Sequence, residues 1–379
     1  MRLAIVGAGQ ISHRFLKEAQ QTRRAEFVAT CARTTDSAKA RAVEYGIDSW
    51  YTDYMAMYDA IAPDGVVIAT QPTLHAAPTI AALQRGIHVL CEKPMAATFQ
   101  DCQSMVAAAE RSRATFLCLP YDAQPPFLAA LAYLNEATLG AFTGAEAQVL
   151  LPGVARERWH DREYVGGGVV LDAMVYSVST LTSLLGPAHR VTGMVNTLIP
   201  HRILGDGAGA TLVPPPRDRT QTRSVESNVD DNATVIMEWH GGQQAVVRAL
   251  WGTSIVRYDV TVYGRQGTLW LAGDDVVVHS PNRVLPNTTA VTWGSYDSCY
   301  RVPTPPASVG HHGVIDHFVD CVAKRCQPRC GAQQQLHVHE ILFKAYEAAH
   351  TGRTQVLMTT FEPWHAIDPA FHDTRSRLL

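Results

Sequence analysis

The sequence predicts an α/β protein in two bodies: a doubly wound parallel sheet over residues 1–122, then an α+β body over 123–379 carrying a large, mostly antiparallel open sheet. Three observations predict it. The apolar run Leu3–Val6 is followed at once by Gly7-Ala8-Gly9-Gln10-Ile11-Ser12 and then by a helical pattern with Ile11, Phe15 and Ala19 on one face. From there to Leu119, short apolar runs alternate with helical stretches, the pattern of right-handed crossovers between parallel strands. Beyond Pro120–Pro126 the character changes to alternating apolar and polar runs separated by glycine turns, as in antiparallel strands with one wet face. At 379 residues the chain also exceeds what one core usually supports.

The first body begins with a variant of G-x-G-x-x-G, Ser12 standing at the third glycine. Gly7 permits the tight turn, Gly9 lets the backbone approach a pyrophosphate at the following helix N-terminus with Gln10 and Ile11 beside it, and Ser12 keeps helix and strand close. This is the opening of a Rossmann dinucleotide-binding unit. Its second strand, Glu26 to Ala32, would end in a carboxylate if it bound the free ribose hydroxyls of NAD(H). It ends instead in Ala32-Arg33-Thr34-Thr35, where no carboxylate repels a 2′-phosphate and Arg33 and Thr34 offer donors that match one. NADP(H) is therefore expected over NAD(H). Gly65–Ala69 is a strand buried on both faces, running into Thr70-Gln71-Pro72-Thr73-Leu74-His75, and the helix that follows should stop at Gly86. His88–Leu90 leads into Cys91-Glu92-Lys93-Pro94, a helix is expected from Thr98 to Arg111, and Thr115–Leu119 is the last strand.

In the second body, strands are expected at Ala145–Leu151, Arg190–Val195, Ala233–Trp239, Gln244–Trp251, Tyr258–Tyr263 and Thr268–Ala272, with helices at Val314–Ala323 and Val338–Ala349. Gly205–Ser227, rich in Gly, Pro, Arg and Thr, reads as an insertion.

Composition excludes several classes. A net charge of -3 leaves no electrostatic footprint for nucleic acid or anionic membrane. The N-terminal apolar run is too short for a secretory signal, and no run reaches the roughly 18 uninterrupted apolar residues of a membrane span, so a cytoplasmic protein is expected. Eight cysteines scattered along the chain do not form a disulfide framework. Cys326, Cys330, His337 and His339 match no zinc spacing, so no metal is expected.

Chemistry concentrates in two places. Lys93 stands at the carboxyl end of a strand in an open α/β sheet, where such folds bind ligands, and Pro94 restricts its backbone so that the ammonium is aimed. Gly166-Gly167-Gly168 opens a helix carrying Asp172 and Tyr176, four residues apart on one face. Before it, Arg156-Glu157-Arg158-Trp159-His160 combines polar and aromatic residues as a sugar-contacting loop would.

Gly7-x-Gly9, Ala69-Thr70-x-Pro72-x-x-His75, Cys91-Glu92-Lys93-Pro94 and Gly166-Gly167-Gly168-x-x-x-Asp172-x-x-x-Tyr176 occur in the order and spacing of one family. In these, and in Asp230-Asp231-Asn232-Ala233, Gly264-x-x-Gly267-Thr268 and His317-Phe318, the chain resembles the glucose–fructose oxidoreductase/inositol dehydrogenase (Gfo/Idh/MocA) family over nearly its whole length. The resemblance implies that Lys93 binds the reacting oxygen and precedes a cis proline. It implies too that Glu92 helps place the cofactor alongside Thr70, Gln71 and His75, and that Asp172 orients a polyol. Many members carry histidine where this chain has Tyr176. That departure is shared with branches in which tyrosine is the proton donor or acceptor. His160 stands where arginine is common, and Tyr121-Asp122-Ala123-Gln124 replaces a segment with Asn and Arg. Tyr121, Trp159 and His160 are expected to line the substrate site, and the family pairs through its open sheet, implying a homodimer or homotetramer.

The chemistry is coherent without the family. Reducing a ketone develops negative charge on its oxygen, which an ammonium stabilises. Tyrosine near pKa 10 is a poor base until a neighbouring cation favours its phenolate. The expected function is hydride transfer between NADP(H) and a secondary alcohol or ketone of a sugar, polyol or related small ring. The alternatives are an NAD-dependent redox glycosidase and a non-catalytic dinucleotide-binding regulator.

Overall fold

Six parallel strands in the order β3-β2-β1-β4-β5-β6 form the sheet of the first half. They are β1 (Arg2–Val6), β2 (Glu26–Cys31), β3 (Ser49–Tyr51), β4 (Gly65–Ile68), β5 (His88–Cys91) and β6 (Phe116–Cys118). Between them run α1 (Ser12–Thr22), α2 (Thr35–Tyr45), α3 (Tyr54–Ile61), α4 (Ala76–Gln84) and α5 (Phe99–Arg111). The structure is a computed structural model; it describes residues 1–120, 125–135, 137–205, 222–294, 296–304 and 313–364.

The strand order reverses between β1 and β4, the switch point at which such sheets bind ligands. Register makes this concrete: Val6 pairs with Ile68, Ile68 with Cys91, and Cys91 with Cys118. The segments after these residues, beginning Gly7, Ala69, Glu92 and Leu119, therefore leave the sheet along one edge. Helix signals read from sequence are realised as caps. Thr98 accepts from Asp101 N at 3.1 Å, and α4 ends as Ile87 N donates to Ala82 O at 3.0 Å past Gly86, whose φ is +75°.

The chain divides into two units, Met1–Tyr121 with Glu163–Gly166 and Val309–His339, and Asp122–Arg162 with Gly167–Ser308 and Glu340–Leu379. The sequence division at 122/123 assigned the late segment to the second body. In the structure Val314, Ile315 and Phe318 are fully buried in the core formed by Leu3, Ile5, Phe15, Val67, Leu90 and Leu117. Their apolar spacing announces an amphipathic helix but says nothing of which core it covers.

The second unit contains α6 (Pro125–Tyr133), β7 (Phe142–Leu151) and, beyond α7 (Arg162–Val165), the helix α8 (Val175–Leu185). Strands β8 (Arg190–Asn196), β9 (His201–Gly205), β10 (Thr222–Glu226), β11 (Asn232–Glu238), β12 (Gln244–Trp251), β13 (Arg257–Gly264), β14 (Thr268–Ala272), β15 (Asp275–His279), β16 (Thr289–Trp293) and β17 (Tyr296–Val302) follow. After α9 (Val314–Lys324) and α10 (Ala332–Thr351) comes the two-residue β18 (Gln355–Val356). Ten strands form one sheet, β16-β17-β15-β14-β13-β7-β12-β11-β8-β18, in which only β7 and β12 pair in parallel among the described residues. Alternation sets its faces: Ala245, Val247, Ala249 and Trp251 of β12 are buried, while Gln244, Val246 and Arg248 are exposed. The ends of the expected insertion pair as the β9–β10 hairpin, and residues 206–221 lie outside the described residues.

The stretch Arg162–Leu185 is long and apolar enough to cross a membrane by composition, yet 78% of its most apolar window is buried in the protein. It is the apolar spine of a folded core.

Candidate active site

At the first turn, Gly7 has φ +114°, and a Cβ there would lie 2.4 Å from Ala69 O. Only glycine lets β1 exit this close to the end of β4. A Cβ on Gly9, by contrast, would meet nothing within 4 Å, so its backbone faces open space. Ser12 is buried and donates to Gly9 O at 2.6 Å. The first turn of α1 has no side-chain cap and no acidic residue, so its amides can face an anion. Gln10 is exposed and Ile11 half-buried beside it. A dinucleotide pyrophosphate fits this cradle. Sequence reading missed Arg41 of α2, whose guanidinium donates to Ala8 O at 2.9 Å and Gly9 O at 3.3 Å and so pins the loop from below. Its side chain arrives from the next crossover, with no local signal.

At the end of β2, Arg33 is exposed and Thr34 is the N-cap of α2, its hydroxyl accepting from Ser37 N at 3.3 Å. The hydroxyl read as a phosphate donor is thus engaged in the cap. Arg33 stands directly before that helix N-terminus.

One strand beyond the switch point, Glu92 N donates to Ile68 O at 2.9 Å, extending the ladder past Cys91. Glu92 is 4% exposed, and one carboxylate oxygen accepts from Lys93 N at 2.7 Å. Burial pushes its carboxyl up, against the pull of Lys93, the Lys93 amide, His75 and Arg14. Lys93 is half-buried, and its bond to Pro94 is cis. Thr70 and Gln71 are half-buried at the end of β4, with Gln71 preceding the short turn Pro72–Leu74.

His75, expected beside the cofactor, is fully buried, with Nδ1 2.9 Å from Pro94 O and Nε2 3.1 Å from Thr70 O. Both ring nitrogens face protein carbonyls, so the ring ties together the two turns that carry Thr70 and Lys93.

In the second unit the glycine run is explained by Asp230. A Cβ on Gly168 would lie 1.9 Å from Asp230 O, and one on Gly167 2.5 Å from the Tyr346 hydroxyl. Asp230 caps the helix start from across the chain: Oδ1 accepts from Gly168 N at 2.8 Å and from the Tyr346 hydroxyl at 2.6 Å, and Oδ2 from Val170 N at 2.9 Å. The helix then opens as a π turn, Val170–Met174, which holds Asp172, before continuing as α8 with Tyr176. Such wider turns recur at functional sites and change the pitch assumed for a plain i, i+4 pair. Asp172 and Tyr176 are both half-buried, and the Tyr176 ring meets Tyr258 edge-on at 6.0 Å.

Trp159 is half-buried beneath the Arg156 guanidinium, 5.4 Å from its ring centre. His160, expected to line the substrate site, is 1% exposed, with Nε2 2.8 Å from Val154 O and Nδ1 3.3 Å from the Ser227 hydroxyl. Tyr121 lies outside the described residues.

Profile comparison matches residues 1–118 to the oxidoreductase family with an NAD-binding Rossmann fold and residues 127–270 to the GFO/IDH/MocA C-terminal domain. The chain belongs to the Gfo/Idh/MocA family of oxidoreductases. Relatives of this Gfo/Idh/MocA protein include the D-apiose dehydrogenase of Paraburkholderia graminis, 26% identical over 93% of this chain and 88% of that one. The D-xylose 1-dehydrogenase (NADP(+)) 2 of Haloferax volcanii is 25% identical over 93% and 98%. Among solved structures, levoglucosan dehydrogenase in complex with NADH and L-sorbose superposes with a TM-score of 0.78 at 18% identity, covering 95% of this chain and 99% of that one. It shares the fold. A nicotinamide dinucleotide is the cofactor class of the Gfo/Idh/MocA oxidoreductase described here.

Proposed function

We propose that this protein transfers a hydride between NADP(H) and a secondary alcohol or ketone of a sugar, polyol or related small ring. The observation that carries the reading is the turn Glu92-Lys93-Pro94, which leaves the carboxyl edge of the sheet after β5, two strands from the glycine turn that follows β1, so that in this reading its ammonium serves the nicotinamide end of the ligand. The substrate class is supported by relatives named for D-apiose, D-xylose and scyllo-inositol.

The dinucleotide, when bound, supplies the hydride chemistry. Gly7, Gly9 and the open first turn of α1 hold its pyrophosphate, and Arg33, with Ala32 beside it and no carboxylate at that position, favours a 2′-phosphate. Lys93 donates to the substrate oxygen and stabilises the negative charge that develops there. Tyr176 gives or takes the proton, Asp172 orients a neighbouring hydroxyl, and Trp159 offers an apolar wall to a sugar ring.

The test is a screen of free and nucleotide-linked sugars and ketosugars for NADPH oxidation or NADP reduction, followed by two variants. Lys93→Met keeps an unbranched stem and should lower turnover about a hundredfold or more with NADPH binding retained. Tyr176→Phe should cost roughly 10² to 10⁴ in rate. The losses should not multiply if the two groups serve one step. Near-normal turnover of Tyr176→Phe across the pH range would remove tyrosine from the proton path.

A further inference from the structure

The turn that carries Lys93 is gripped by two buried histidines. His75 faces two carbonyl oxygens, Pro94 O at 2.9 Å from Nδ1 and Thr70 O at 3.1 Å from Nε2. A carbonyl oxygen only accepts, so satisfying both contacts requires a proton on each ring nitrogen. His339 of α10 faces the opposite demand. Its Nδ1 lies 2.7 Å from Gln335 O and must donate, while its Nε2 receives the Met95 amide at 2.7 Å and must carry a lone pair. Both rings are fully buried.

We infer that at neutral pH His75 is an imidazolium and His339 a neutral ring, and that together they are positioning residues fixing the Lys93 turn and the charge around it. The inference rests on the oxidoreductase reading of Lys93 above. Lys93 is then tied down on each side: Glu92 N to Ile68 O before it, Pro94 O to His75 and Met95 N to His339 after it. An aimed ammonium needs such a base, because a misplacement of about 1 Å can cost roughly a hundredfold in rate.

A buried cation needs a counter-charge. The titratable groups facing His75 are Cys91 of β5, Glu92 of the turn, and the ring of His339. Lys93 and Arg14 act on the same carboxylate. Burial opposes the charge on His75, yet Cys91 and the two carbonyls hold its pKa up to about 9. Burial likewise opposes a Cys91 thiolate, but the hydrogen bond with Cys118 and the His75 charge bring it down to about 6. For His339, burial with the His75 charge outweighs the bond to Gln335 and takes it down to about 4. At neutral pH the imidazolium thus favours the ionised forms of Glu92 and Cys91.

The direct test is nitrogen-15 NMR of the full-length protein labelled at histidine, from pH 5.5 to 8. One ring should keep protons on both nitrogens up to pH 8, and its signals should vanish in His75→Gln. A second should keep one proton, on Nδ1, down to pH 5.5, and vanish in His339→Gln. A His75 ring in the neutral form at pH 7 would overturn the inference. This measurement on the unmodified chain needs no turnover, so its failure is distinct from failure of the oxidoreductase reading. The functional arm uses the substrate found by the screen. His339→Phe, which strands the Met95 amide, should lower kcat about tenfold or more while the NADPH Kd stays within about threefold, and His339→Gln, which can still accept, should restore most of it. An unaltered kcat in His339→Phe, or a loss that His339→Gln does not restore, would overturn the positioning role.

Discussion

Arg33 is exposed at the head of α2, and the proposed preference for a 2′-phosphate rests on its charge. Arg33→Ala should weaken NADPH binding by about 1–3 kcal/mol, the range of a charge-assisted hydrogen bond, and leave NADH binding nearly unchanged. Titration of both dinucleotides against both proteins checks this, and an unchanged preference would refute the assignment. At this scale the sequence was legible where chemistry is local. Gly7 must turn sharply beside its own neighbours, and Lys93 sits next to the proline that aims it. It says least at lone histidines. His75 and His160 have the residue type of a ligand, but what decides their role is whether their nitrogens meet protein carbonyls, Pro94 and Thr70 for one and Val154 for the other. Those partners lie 19, 5 and 6 residues away, and nothing in the composition around them reports the contact.

Two helix starts in this protein are finished by carboxylates from distant positions in the chain. Asp230 receives two amides of the helix that carries Asp172 and Tyr176. Asp230→Ala would strand both and should cost about 2–6 kcal/mol of stability, since each buried orphan donor is worth roughly 1–3 kcal/mol. Urea unfolding measures it; a change under about 0.5 kcal/mol, the size of an ordinary surface substitution, would contradict the cap. Glu18 does the same for α9, accepting from Ile315 N at 2.8 Å. Burial pushes its pKa up to about 7, although that backbone bond pulls the other way. The folded state therefore favours the protonated acid, and this contribution is full below pH 4.5 and lost as pH rises through about 7. Wild type should lose stability relative to Glu18→Gln between pH 5 and 8, by up to about 3 kcal/mol. A difference that stays flat with pH would exclude Glu18 as its source. The triple glycine was readable as a helix opening. Its cause was not, because the atom that forbids a side chain at Gly168 belongs to a residue 62 positions later.

For the whole molecule, the sequence pattern reported two bodies and their sheet types, since strand alternation is set locally by which face is wet. The outward face of the ten-stranded sheet pairs Ile236 with Val246 in register, both about two-fifths exposed at 38% and 42%, beside a concavity of about 560 Å³ lined by Arg248, Asp259, Trp270 and Trp293. We expect this face to join copies into a dimer or tetramer. Light scattering at micromolar concentration should report an oligomer, and Ile236→Arg with Val246→Arg should give a folded monomer; a monomeric wild type would dismiss the expectation.

The late return of the chain to the first unit bears on how the protein is made. Phe318 completes the core around Leu3 and Phe15, and His339 completes the Lys93 turn from 244 residues beyond Met95. A ribosome adding about 5–20 residues per second would present the glycine turn and all six parallel strands roughly 10–40 seconds before α9 emerges. For that interval the nascent nucleotide-binding half has an uncovered apolar flank and an unanchored Lys93 turn. Nucleotide affinity should therefore be acquired only near the end of synthesis, and chaperones that bind exposed apolar surface have their window before it.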